Sequence, residues 1–125
     1  MDYGFPKNCR LLKRWEFRQV YDQGTPYRNA GFHLFVYARE DVDTHEPGPS
    51  RIGLTATRNC GSAVKRNRLR RWARDFFRHQ RAYIKPGYDL VLNFHRNLID
   101  KDRKEFDRLL LHVLRKAHLL RQQAS

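Results

Sequence analysis

No apolar run in this 125-residue chain approaches the roughly 18 residues that a membrane-spanning helix needs. The N-terminus also lacks the cationic start and apolar stretch of a signal peptide, so a cytoplasmic location is expected. Cysteine is scarce. Cys9 and Cys60 are the only two, without the paired spacing of a disulfide framework or zinc cluster, and are expected to be reduced thiols. Acid is scarce too, and what there is lies scattered. No carboxylate pair falls on one face beside the basic segment described below, which argues against a metal-dependent nuclease site within the chain. His33, His45, His79, His95, His112 and His118 show no metal-ligand spacing. Repeats and low-complexity tracts are absent, and the length suits one domain over residues 1–125, with an ordered core at about 8–120 and flexible tails.

Positive charge is what the chain has in excess. Lys and Arg number 26 against 13 Asp and Glu, a formal net charge of +13, so a polyanion is the natural partner. The excess is local. Ten basic residues and one acid, Asp75, fall between Arg51 and Arg81, whereas four of the thirteen acids lie between Glu40 and Glu46.

Periodicity divides the chain into elements. Phe17, Val20 and Tyr21, ending at Gly24, predict a helix from about Lys13 to Gln23. Phe32–Tyr37 predicts a strand with Phe32, Leu34 and Val36 on one face and His33, Phe35 and Tyr37 on the other. The acidic, proline- and glycine-bearing stretch from Arg39 to Ser50 reads as a mobile, solvated connection between paired strands. A second strand is expected over Arg51–Thr57, with Ile52, Leu54 and Ala56 inward and Gly53, Thr55 and Thr57 outward. Ser62 then caps a helix reaching about Arg81, carried by Leu69, Trp72, Ala73 and Phe76. Tyr88–Phe94 predicts a third strand. Asp100 or Asp102 starts a last helix with the stripe Phe106, Leu109, Leu110, Val113, Ala117 and Leu120. The order is α, β, β, α, β, α, with room for more strand pairing in the first β region.

Around the second long helix, at about 100° per residue, Asn67, Arg71, Arg74 and Arg78 form a stripe opposite the apolar side. Arg70 and Arg81 flank it, and Arg66 and Arg68 lie at the edges of the apolar face. Every Lys or Arg from Arg66 to Arg81 is arginine, whose planar fork can bond a phosphate twice and stack on a base. The alternative is a solvated basic face. On the sheet, the outward aromatics Phe35 and Tyr37 beside Thr55 and Thr57 could form a stacking platform for single-stranded nucleic acid, or lie under a helix as ordinary core. Phe17 and Tyr21 are open to the same two readings.

The segment Ala63-Val64-Lys65-Arg66-Asn67-Arg68-Leu69-Arg70-Arg71-Trp72-Ala73-Arg74-Asp75-Phe76-Phe77-Arg78 resembles the signature helix of the bacterial ribonuclease P protein family, marked by an Arg-Asn-Arg triplet followed by basic pairs. Phe5-Pro6-Lys7 with Arg10-Leu11-Leu12-Lys13 and Glu16-Phe17, and Arg51-Ile52-Gly53-Leu54-Thr55, agree in order and spacing. The resemblance implies an α+β domain similar to ribosomal protein S5 domain 2, of order αβββαβα with a left-handed βαβ crossover, against the usual handedness. It implies a ribonucleoprotein that removes the 5′ leader of precursor tRNA. The RNA subunit would hold Mg2+ and perform hydrolysis, and the protein would supply no catalytic residue and bind no metal, as a monomer in a 1:1 particle with no membrane partner. Carried onto this chain, Arg66, Asn67, Arg68, Arg70, Arg71, Arg74 and, from the stripe, Arg78 would contact the catalytic RNA. Phe17, Tyr21, Phe35, Tyr37 and Arg58 would hold the precursor leader.

The chain departs from the family pattern at Arg58-Asn59, where a lysine pair is usual, at Phe94-His95-Arg96, where a small residue and two cations are, and at Trp72, where an aliphatic is. Two rival readings stay open: an RNA-binding structural protein using the same arginines without a nuclease partner, and a self-sufficient nuclease using a carboxylate such as Asp89.

Overall fold

The computed structural model describes residues 7–121, so Phe5 and Pro6 of the first block lie outside the described residues. Seven main elements follow in order: α1 (Arg14–Gln23), β1 (Thr25–Arg28), β2 (Phe32–Ala38), β3 (Arg51–Thr55), α2 (Ala63–Gln80), β4 (Tyr88–Phe94) and α3 (Arg103–Lys116). The fold is α+β in the order αβββαβα. The sheet runs β1-β2-β4-β3, with β1, β2 and β4 antiparallel in turn and β3 parallel to β4, joined to it through α2.

Alternation puts Phe32, Leu34, Ile52, Leu90, Leu92 and Phe94 on one face of the sheet. There they meet Leu69, Ala73, Phe76 and Phe77 of α2 and Phe106, Leu109, Leu110, Val113 and Leu114 of α3 in the main core. Phe106 is its hub, edge-on to Phe32 (5.3 Å between ring centres), Trp72 (5.4 Å) and Phe94 (6.1 Å). Trp72 is thus core on one side, and its other contact is the Arg68 guanidinium, 5.1 Å from the ring centre. Full burial of each Phe or Leu contributes about 1.5–3 kcal/mol, so this face supplies most of the stability.

α1 lies on the opposite face. Its Val20 is fully buried with Leu11 and Val91, and Phe17, Phe35 and Tyr37 pack around them. The Glu16 carboxylate starts the helix by accepting the N–H groups of Leu12 (2.9 Å) and Lys13 (2.8 Å), and it also accepts Arg51 Nη1 at 2.7 Å. Ser62 Oγ accepts the Lys65 N–H at the start of α2, and of the two aspartates considered for α3 it is Asp102 that caps, accepting the Glu105 N–H at 2.9 Å.

Several expectations need correction. The strand β1 was hidden because Thr25-Pro26-Tyr27-Arg28 is short and does not alternate in polarity; it pairs with β2 as an edge strand, where Pro26 is tolerated. β2 and β3 are not paired, since β4 sits between them. Their connection is not a free loop. It contains a short 3-10 helix over Glu40–Asp43, and Arg39 ties it down by bonding Asp41 at 3.0 and 3.2 Å, Asp89 at 3.0 Å and the carbonyl of Gly48 at 2.9 Å. β3 stops at Thr55, and the Thr57 carbonyl accepts the Cys60 N–H in a 3-10 turn. The last helix ends at Lys116, with His118 at φ 58°, so Leu120 reaches the core through a bridge to Ile84 instead of along the helical stripe. No helix among the described residues is long and apolar enough to cross a membrane.

Candidate nucleic-acid interface

The first surface is the outer side of α2. Leu69, Ala73, Phe76 and Phe77 fix the helix on the core, which leaves Asn67, Arg71, Arg74 and Arg78 facing outward as one stripe, as the sequence predicts. Arg71 and Arg74 have no side-chain partner among the described residues, so both forks are available to phosphate. Arg78 is already paired with Asp75, which also takes Arg103 of α3 at 2.9 Å; Arg103 in turn bonds Asp107 at 2.8 Å. These guanidiniums hold the Asp75 carboxyl below the usual carboxylate range, Arg78 first and then Arg103. Arg78 is therefore the least free member of the stripe.

Arg66, Arg68 and Arg70 lie half-buried at its edges. Arg68 Nη2 donates to the Ile99 carbonyl at 3.2 Å, and Arg70 to Asn67 Oδ1 at 3.1 Å and the Ala56 carbonyl at 3.3 Å. The Nε groups of Arg66 and Arg68 are buried without a partner, an unsatisfied state that buried polar groups rarely hold. Asn67 has a role that charge counting misses: it orients Arg70.

The second surface is on the other side of the sheet. Strand register sorts its residues into cross-strand rows: Arg28, His33, Asn93 and Thr55; then Pro26, Phe35, Val91 and Gly53; then Tyr37, Asp89 and Arg51. Phe17 packs on Gly53, and the Tyr21 ring stands edge-on to Phe35 at 4.9 Å while its hydroxyl donates to Asn93 Oδ1 at 2.8 Å. His33 stacks tilted on Phe35 at 4.4 Å. Phe17, Tyr21 and Phe35 are thus brought together as an aromatic edge of α1 over the sheet. Tyr37, two residues along β2 from Phe35 on the same face, packs with Phe17 and Phe35 around the same buried cluster, in the row of Asp89 and Arg51.

Arg58 is exposed in the 3-10 turn between β3 and α2, without a side-chain partner among the described residues, on the connection that leads from the second surface to the first. His95 is exposed as well, its Nδ1 accepting the Asn97 N–H at 3.0 Å. Arg28 and Asn93 share this face, where sequence reading did not place them. The parity of Asn93 in Tyr88–Phe94 was available, but Arg28 required the unseen strand β1.

Buried charge serves the scaffold. Asp89, 1% exposed, receives Arg51 at 2.9 and 2.7 Å and Arg39 at 3.0 Å, so both its oxygens are taken and it is not a free metal ligand. Among the described residues no group of three or more His, Cys, Asp or Glu could hold a metal ion. Cys60 is buried, which pushes its thiol up, and its Sγ lies 3.2 Å from the Phe94 carbonyl; Cys9 is buried and not in a disulfide either.

The ribonuclease P family pattern matches residues 5–118. The ribonuclease P protein component of Finegoldia magna is 35% identical over 111 residues, 89% of this chain and 92% of that protein. That of Clostridium novyi is 34% identical over 114 residues, 90% of this chain and 96% of that protein. Among solved structures, the RNase P protein of Thermotoga maritima superposes with a TM-score of 0.74 at 27% identity, covering 86% of this chain and 96% of that one. That of Staphylococcus aureus has a TM-score of 0.81 at 23% identity, covering 90% and 98%, a likeness of fold. The match spans both surfaces, and on it the chain belongs to the ribonuclease P protein family.

Proposed function

We propose that the chain is the protein subunit of a ribonuclease P particle, binding the catalytic RNA through α2 and the single-stranded 5′ leader of precursor tRNA along α1 and the sheet. The observation that carries this is the pairing of two chemically different surfaces. One is a stripe of arginines suited to folded RNA backbone. The other is an aromatic edge suited to stacked, unpaired bases, with Arg58 between them. Arg66, Asn67, Arg68, Arg70, Arg71, Arg74 and Arg78 serve the first role; Phe17, Tyr21, Phe35, Tyr37 and Arg58 serve the second.

In this reading the RNA subunit holds Mg2+ and cleaves, while the protein neutralises phosphates and makes precursor bind better than product. The particle is cytoplasmic, with one protein per RNA. The test mixes the protein with a bacterial ribonuclease P RNA and assays leader removal at low magnesium, with protein alone as control. Cleavage at the mature 5′ end only when both are present supports the assignment. Tight RNA binding without stimulation points to a structural RNA-binding protein, and cleavage by protein alone to a nuclease.

A further inference from the structure

The rows on the open sheet face differ in chemistry. Pro26, Phe35, Val91 and Gly53 form an apolar row beneath the ring of Tyr21, whereas the adjoining row of Arg28, His33, Asn93 and Thr55 offers a guanidinium, an imidazole, an amide and a hydroxyl across all four strands. Much of that hydrogen-bonding capacity is unspent. His33 Nε2 has no partner, and the Asn93 amide nitrogen has none among the described residues. A cleft of about 160 Å3 opens against this row, lined by Arg28, His33, Asn93, Phe94 and His95 with Asn29 and Phe32.

We propose that Asn93, oriented by the Tyr21 hydroxyl, reads the edge of one leader nucleobase and favours a carbonyl edge over an amino edge. This rests on the leader-binding reading above and adds a base preference to it. The Tyr21 hydroxyl donates to Asn93 Oδ1, which turns the amide oxygen toward the tyrosine and leaves the NH2 group, with its two donors, as the free end. A uracil O4 or guanine O6 accepts from that group. A cytosine or adenine amino group meets donor with donor and forgoes that one hydrogen bond. The neighbouring His33 is neutral near pH 7, its imidazole held below the ordinary range by burial and then by the Arg28 charge. Arg28 is then the cation in this row available to the adjoining phosphate.

At position 4 uracil carries a carbonyl where cytosine carries an amino group, which defines the experiment. Precursor tRNAs with all-uridine and all-cytidine leaders, and mature tRNA as reference, are bound to the particle reconstituted with ribonuclease P RNA. The wild-type protein should hold the uridine leader about three- to ten-fold more tightly, the effect of one hydrogen bond. Asn93→Asp replaces the donor by an acceptor and should reverse the order. Tyr21→Phe keeps the ring but frees the amide to turn, and should bring the ratio close to one even if the Asn93→Asp variant fails to fold. Equal affinity for both leaders, with precursor still preferred over mature tRNA, overturns the base-reading proposal alone. A wild-type ratio that survives Tyr21→Phe overturns it as well. Equal binding of precursor and mature tRNA overturns the leader-binding reading beneath it.

Discussion

Phe17 rests directly on Gly53: a Cβ built at the glycine would lie 2.4 Å from Phe17 Cε2 and 2.5 Å from Cζ. No side chain can occupy that position while the ring stays, so the absence of a Cβ at Gly53 sets where the aromatic edge of α1 sits over the sheet.

Gly53→Ala should therefore push Phe17 off the sheet. Alanine suits a strand better than glycine, but overpacking of this kind costs about 1–3 kcal/mol. The expected result is a lower urea midpoint and a reduced preference of the particle for precursor over mature tRNA. Adding Phe17→Leu should recover stability without recovering that preference. An unchanged precursor preference in Gly53→Ala would remove Phe17 from the leader surface.

Arg71→Ala and Arg74→Ala should leave the fold intact and weaken binding of the catalytic RNA, each lowering the slope of log affinity against log salt by about one. Arg68→Ala should differ. Its guanidinium bonds the Ile99 carbonyl and lies over Trp72, so thermal stability should fall along with RNA affinity. Salt titrations of RNA binding, paired with melting curves, separate the two classes.

Asp89→Asn removes the carboxylate shared by Arg39 and Arg51 and leaves two half-buried guanidiniums facing a neutral amide. Stranding a fully buried charge costs about 3–5 kcal/mol; Arg39 keeps Asp41 and Arg51 keeps Glu16, so the variant should be destabilised in urea by less than that. Leader cleavage measured at a temperature where the variant remains folded should persist. Full loss of cleavage by folded protein would return Asp89 to the list of catalytic candidates.

Acid should destabilise the protein in a defined window. Asp41 is held down to about 2, by Arg39 first and then by the Gly48 N–H, against an ordinary value of 3.8. Burial alone would raise Glu16, but the Lys13 and Leu12 N–H groups and Arg51 more than offset it and hold its carboxyl below 4.5. A depressed carboxyl contributes stability that is complete above its unfolded value and disappears as pH falls through its folded value. Urea midpoints should accordingly be flat above about pH 5 and decline from there toward pH 2. Glu16→Gln should flatten the upper part of the decline. A midpoint independent of pH across this range would contradict these pairings.

The sequence alone determined the elements whose signals are local. Ser62, and one of Asp100 and Asp102, mark where their helices start because a short polar side chain reaches a free N–H. The spacing of Leu69, Ala73 and Phe76 decides which side of α2 is buried and so which arginines face water. Alternation in Phe32–Tyr37 and Tyr88–Phe94 decides what each strand turns to the core. The arginine stripe and the family resemblance were legible for the same reason. What only the tertiary structure decided depends on pairing between distant segments. The register that inserts β4 between β2 and β3 aligns Arg28, His33, Asn93 and Thr55, puts Tyr37 in the Asp89 row and buries Asp89 between two arginines. No local pattern encodes that register, because it is selected by packing both faces of the sheet at once. The same packing gives Tyr21 its partner in Asn93, 72 positions away, and converts an ordinary strand asparagine into the candidate reader of a base.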